Sequence, residues 1–151
     1  MKPNRIVSLM RDEMNCIFCK IISGKSESHV VFEDADTIAF LDINPFSLGH
    51  TLVSPKEHIS ELIEVPDELL RKLFSTVKRV SRSIRVSLSA DGINYGINEG
   101  EAANQIVPHV HVHIIPRKQK DDVSFRRRLD LSNQELKSIR DTVARNLKSK
   151  H

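Results

Sequence analysis

Tryptophan is absent, tyrosine occurs once and phenylalanine six times, so any core must rest mainly on Ile, Leu and Val. Two cysteines, Cys16 and Cys19, are too few for a disulfide scaffold. No apolar run approaches the roughly 18 residues of a membrane-crossing helix. Met1 to Glu13 carries basic residues but no continuous apolar stretch of the signal-peptide kind. The expectation is a cytoplasmic protein with no membrane contact. Neither sign of charge dominates, with 23 Lys and Arg against 20 Asp and Glu, and a charged fraction of 28% is too low and too balanced for a disordered chain.

What is present fits one domain. The 151 residues match a single domain's length, and 39% hydrophobic residues are enough for one core. The charge is unevenly placed. Residues 1–116 hold 12 basic and 15 acidic side chains, whereas residues 117–151 hold 11 and 5. The basic excess, including Arg126-Arg127-Arg128, lies beside no aromatic pattern suited to RNA. It reads as a solvated helix flank, and nucleic acid is not the expected partner.

Residues 1–15 are polar and patternless and read as a flexible extension. Ile17, Phe18, Ile21 and Ile22 recur at helical spacing up to Gly24. Val30 to Glu33 and Thr37 to Asp42 read as strands around an acidic turn, and His50 to Ser54 as a third. The longest helix starts near Pro66, with Leu69, Leu70, Leu73, Phe74, Val77, Val80, Ile84 and Leu88 on one stripe. Ile93, Tyr95 and Ile97 alternate with polar or small neighbours, which predicts a strand. A polar loop over 99–107 follows, then a strand from Pro108 to Pro116. Ser132 and Glu135 form a capping box, with Leu131 and Leu136 as its staple, ahead of a last helix. These elements predict an α+β fold with a largely antiparallel sheet.

The chemistry concentrates in His109-Val110-His111-Val112-His113. On a strand, alternate residues share a face, which puts three imidazoles together. A single zinc held by all three is implausible, because His109 and His113 would be about 13 Å apart at Cα. A polar strand face that happens to carry histidines is the plain alternative. The more productive reading is a nucleophile. A neutral imidazole whose Nδ1–H is held by a carbonyl presents its Nε2 lone pair to phosphorus, and a neighbouring histidine can donate a proton to the leaving group.

These residues, with Asn98-Glu99-Gly100 and Ala103-Asn104-Gln105 before them, resemble the histidine triad (HIT) family of nucleotide hydrolases and transferases. Phe40-Leu41-Asp42-Ile43-Asn44-Pro45, Gly49-His50-Thr51-Leu52-Val53, Pro55-Lys56-Glu57-His58 and Cys16-Ile17-Phe18-Cys19 extend the resemblance over about Cys16 to Arg117. It implies a HIT-like domain over 16–117, with a five-stranded antiparallel sheet, a long packed helix and a C-terminal helix carried by a basic extension, 118–151. It implies His111 as the nucleophile and His113 as the residue contacting phosphate and leaving group. Asn98 and Gln105 would orient the phosphate, Asp42 would hold the ribose, and Phe18, Phe40 and Ile43 would line the base pocket. Taken alone, Asp42 and Asn98 could be strand-end residues bonding to turns, and Phe18 and Phe40 could be core. A third histidine, where the transferase branch typically has Gln, favours hydrolysis. The resemblance also implies a homodimer, with residues 67–88 and 93–98 near its interface.

The Cys16-x-x-Cys19 pair has no preceding strand of the thioredoxin kind. The resemblance supplies two more zinc ligands, His50 and His109, with His58 as a substitute, which makes a closed structural site. Two buried cysteines without metal remain the alternative. The expected activity is hydrolysis of a purine nucleoside phosphoramidate to AMP, with no catalytic metal required. Dinucleoside polyphosphate hydrolysis and a non-catalytic nucleotide-binding role are the rivals; the intact His111 argues against the latter. Two residues depart from the family pattern. Asn104 stands where Gly is common, and Ile106 where some members carry a hydroxyl.

Overall fold

The computed structural model describes residues 12–148. Most of the expected N-terminal extension, residues 1–11, lies outside the described residues. Residues 12–15 are helical, and the Asp12 carbonyl accepts from the Cys16 N–H at 3.0 Å. The elements are α1 (Ile17–Ile22), β1 (Val30–Glu33), β2 (Thr37–Leu41), β3 (Thr51–Pro55), α2 (Asp67–Ser87), β4 (Gly92–Gly96), β5 (Val112–Arg117) and α3 (Asn133–Lys148). Five strands form one sheet in the order β1-β2-β3-β5-β4, every pair antiparallel. The expected α+β fold is therefore present.

The period of two on each strand divides its side chains between two faces. One face carries Val31, Ala39, Leu41, Val53, Val112 and Ile114, which pack with Leu73, Val77, Val80 and Ile84 of α2 and with Leu136, Val143 and Leu147 of α3. The other carries Ile38, Phe40 and Leu52, packed with Cys16 and Phe18 of the α1 region. Burial on both faces explains why every residue of β2 and β3 is buried. Helices cover the first face, while α1 covers only part of the second, and the functional side chains stand there.

α3 is not an appendage. Its Leu136, Val143 and Leu147 are at most 6% exposed within the main core, and Ser83 Oγ of α2 donates to the Val143 carbonyl at 2.6 Å. The expected boundary at residue 117 thus does not divide the packing. The capping box is formed as expected. Ser132 Oγ accepts from the Glu135 N–H at 3.2 Å, and the Glu135 carboxylate accepts from the Ser132 N–H at 2.8 Å.

The strand expected from Pro108 begins only at Val112. Pairing with β3 starts at Val53 opposite Val112, and upstream residues bond elsewhere. The Val110 N–H donates to the Ile59 carbonyl at 2.7 Å, and Ser54 Oγ donates to the Val110 carbonyl at 2.9 Å. This departure from the ladder separates His109 from the other two triad histidines. Among the described residues, no helix is long and apolar enough to cross a membrane.

Candidate active site

β2, β3 and β5 place Phe40, Leu52 and His113 side by side, since Phe40 pairs with Leu52 and Leu52 with His113. They border a cavity of about 490 Å³, whose walls also include Phe18, Asp42, Ile43, Asn98, His111 and Arg128. Phe18 meets Phe40 edge-on at 5.0 Å between centroids and meets His111 in the same way at 4.9 Å. All the residues expected to contact substrate therefore lie at one cavity, with one exception. Gln105 is engaged in shaping the loop. Its Oε1 accepts from the Gly100 N–H, and its Nε2 donates to the Ser60 carbonyl, both at 2.8 Å. Because both ends of the amide are used, it supports the wall without lining it.

Hydrogen bonds assign the tautomers. His111 Nδ1 lies 2.7 Å from the His109 carbonyl, which can only accept, so Nδ1 carries the proton and Nε2 keeps its lone pair. A second chain starts at the backbone. The Phe46 N–H donates to His50 Nδ1 at 3.1 Å, which puts the His50 proton on Nε2. His50 Nε2 then donates to His113 Nδ1 at 2.9 Å, which leaves His113 protonated at Nε2. That His113 Nε2 is buried and has no hydrogen-bond partner among the described residues. The His111 and His113 rings lie 4.9 Å apart, so a lone pair and a proton donor stand side by side.

Burial keeps these rings neutral. It pulls His113 down to about 4 and His50 to about 3, with neighbouring His113 and Arg128 charge adding to the effect at His50. Burial also lowers His111, against the opposing pull of its bond to the His109 carbonyl and of the Asp42 charge. Asp42 is raised by burial, while the Asn44 N–H and Arg128 work against the rise.

His109 faces the other way. Its Nε2–H donates to the Pro55 carbonyl at 2.8 Å, which frees Nδ1 to lie 3.5 Å from Cys16 Sγ and 3.6 Å from Cys19 Sγ. His58 Nδ1 is 3.2 Å from Cys19 Sγ. The donor atoms of Cys16, Cys19, His58 and His109 all lie within 4.8 Å of one another. A tetrahedral zinc with Zn–S near 2.3 Å and Zn–N near 2.0–2.1 Å sets its ligand atoms roughly 3.3–3.8 Å apart, so this set fits the ion. Without a cation, burial and the Cys16 charge push the Cys19 thiol up to about 12. The expectation that His50 completes this set does not hold. The hydrogen bond to His113 places it beside Asp42, whose Oδ2 is 3.7 Å away. His58, after β3, takes the fourth position.

Arg128 is the wall residue that sequence reasoning missed, having assigned its basic run to solvent. Phe46 and the paired role of His50 were missed as well. Asn104 has φ +63°, in the left-handed region that Gly favours and Asn tolerates best among other residues, so the departure there keeps the backbone path. Ile106 is 83% exposed on the cavity rim and presents no hydroxyl.

The HIT domain family model matches residues 23–120. The Protein hit of Bacillus subtilis is 43% identical over 139 residues, covering 89% of this chain and 96% of that protein. An adenosine 5'-monophosphoramidase of Candida albicans is 37% identical, over 74% of this chain and 76% of its own. An adenylylsulfatase of Arabidopsis thaliana is 41% identical, over 71% of this chain and 54% of its own. Among solved structures, a zinc-bound histidine triad family protein from Mycobacterium smegmatis superposes with a TM-score of 0.79 at 37% identity, covering 91% of this chain and 99% of that one. The fold that carries the cavity's histidines is shared with solved histidine triad structures, and the family model covers the histidine-bearing segment, so the chain belongs to the histidine triad (HIT) family.

Proposed function

We propose that the protein hydrolyses a purine nucleoside phosphoramidate at its α-phosphorus, releasing AMP through a nucleotidyl-His111 intermediate. The observation that carries this reading is the 2.7 Å contact between His111 Nδ1 and the His109 carbonyl, which turns a neutral Nε2 toward the cavity. Nε2 forms a bond to phosphorus as the bond to the leaving amine breaks. The imidazolium that results keeps its Nδ1–H on the His109 carbonyl, a bond that strengthens as charge develops. The leaving nitrogen accepts a hydrogen bond from His113 Nε2–H, which has no partner among the described residues, and departs as the neutral amine with a proton drawn from solvent. Water then attacks phosphorus, the bond between phosphorus and His111 Nε2 breaks, and the water's proton returns to solvent.

Binding follows from the walls. Phe18, Phe40 and Ile43 offer apolar surface to the base, Asp42 accepts from the ribose hydroxyls, and Asn98 stands at the phosphate end. Gln105 holds the phosphate loop through Gly100 and Ser60. Cys16, Cys19, His58 and His109 would hold a structural zinc, which would fix α1 against the segment before β5 that carries the nucleophile. Such an ion would lock the His109 ring, whose backbone carbonyl orients His111. No step above requires a catalytic metal.

The choice of leaving group leans on the likeness to a named monophosphoramidase. Comparison of kcat/KM for adenosine phosphoramidate and for diadenosine polyphosphates tests it. Faster phosphoramidate cleavage is expected. A preference of about a hundredfold for the polyphosphate would reverse the assignment and leave the covalent route standing.

The working form is proposed to be a homodimer. β4 is an edge strand, and Tyr95 on it and Phe74 on α2 are 56% and 43% exposed around one shallow groove. An unpaired edge beside exposed aromatics suits a second copy better than water. Sedimentation should give twice the monomer mass, and Phe74→Glu should return it to monomer. A wild-type protein that sediments as a monomer would refute the dimer.

A further inference from the structure

The segment after β5 crosses the loop between β2 and β3 and reaches the cavity beyond the residues that the family model covers. It is firmly laid. Arg117 grips Asp121 with two hydrogen bonds, Nε at 2.9 Å and Nη2 at 2.6 Å. The Leu129 N–H donates to the Pro45 carbonyl at 2.7 Å, and Phe125 meets Phe46 edge-on at 5.4 Å. Arg128 then lies over the Phe46 ring at 3.7 Å from its centroid. Its Nη1 donates to the Asn44 carbonyl at 2.7 Å and to Asp42 Oδ2 at 3.2 Å.

We propose that Arg128 is a positioning residue that sets Asp42 to accept a ribose cis-diol, which makes the C-terminal segment part of the nucleotide site. The inference rests on the reading of Asp42 as the ribose residue. A carboxylate has about four acceptor positions, two on each oxygen. At Asp42, the Asn44 N–H uses one on Oδ1 at 2.8 Å, and Arg128 uses one on Oδ2. One position is left on each oxygen, which matches two neighbouring hydroxyl donors. The guanidinium also offsets the burial that works against ionised Asp42, whose side chain is only 14% exposed. Planar Arg does this in fixed geometry, since its Phe46 stack and its Asn44 anchor hold it independently of Asp42. Deleting it would leave Asp42 with one donor, less firmly ionised and free to turn.

Calorimetric titration with AMP and with 2',3'-dideoxy-AMP tests this in the full chain, for wild type, Arg128→Ala and Arg128→Gln. Wild type should bind AMP at least about tenfold tighter than its dideoxy form, as hydrogen bonds to a charged group would give. Both variants should lose that discrimination: AMP weakens about tenfold, while 2',3'-dideoxy-AMP changes by less than about threefold. A merely structural role for Arg128 would weaken both nucleotides in equal proportion, which would overturn the proposal, as would unchanged affinities. Wild type that binds neither nucleotide would refute the nucleotide reading, and this inference with it.

Discussion

Replacing His111 with alanine should abolish turnover, lowering kcat by roughly 10⁴ to 10⁶-fold, the scale on which removal of a covalent nucleophile acts. Nucleotide affinity should change little, because the ribose and base surfaces belong to Asp42, Phe18, Phe40 and Ile43. No neighbour can take over the attack. His113 Nδ1 is occupied by His50, and its other nitrogen carries a proton and so has no lone pair to attack with. His109 has its Nδ1 among the cysteines and its Nε2 on the Pro55 carbonyl. Steady-state rates and calorimetry on the same preparation separate the two effects. Residual activity within about tenfold of wild type would contradict the mechanism.

The second large effect concerns metal. Protein purified without chelators should carry about one zinc per chain. Cys16→Ser and His58→Ala should lose the ion and lower Tm by the order of 10 °C, because binding free energy at such a site is folding free energy. The rate per folded molecule should fall less than the stability does. His50→Ala should keep the metal, since its ring bonds to His113 and not to the cysteines. Elemental analysis of the three variants is decisive. Zinc-free wild type, or a His50 variant that loses zinc while the His58 variant keeps it, would contradict the site.

The contrast between His50 and His58 shows what the sequence made legible. Alternation on the strands, the stripe on α2 and the capping box at Ser132 all depend on local spacing, and each of those elements forms. Family likeness gathered Phe18, Asp42, Ile43, Asn98 and His111, which α1 and the ends of the sheet strands bring to one cavity. The fourth ligand depends on how the chain leaves β3. Position 50 immediately precedes β3, which runs beside β5, so its ring meets His113. Position 58 follows Pro55, where the chain turns back and approaches residues 108–110 through the Ile59 carbonyl. No local spacing encodes that turn. The strand start at Val112 escaped for a similar reason, since the bonds that replace the ladder come from Ser54 and Ile59. Arg128 was least legible. It lies 86 residues from Asp42, within a basic run that composition alone assigns to solvent, and Phe46 gave no sign that it would seat a guanidinium.

The covalent intermediate is the central claim. Intact-protein mass spectrometry after a rapid acid-free quench with adenosine phosphoramidate, followed by peptide mapping, tests it most directly. The account predicts a transient gain of one adenylyl group on the peptide that contains His111, absent from His111→Ala. Turnover of the same substrate with no adduct at any quench time, or an adduct that maps to another residue, would contradict it.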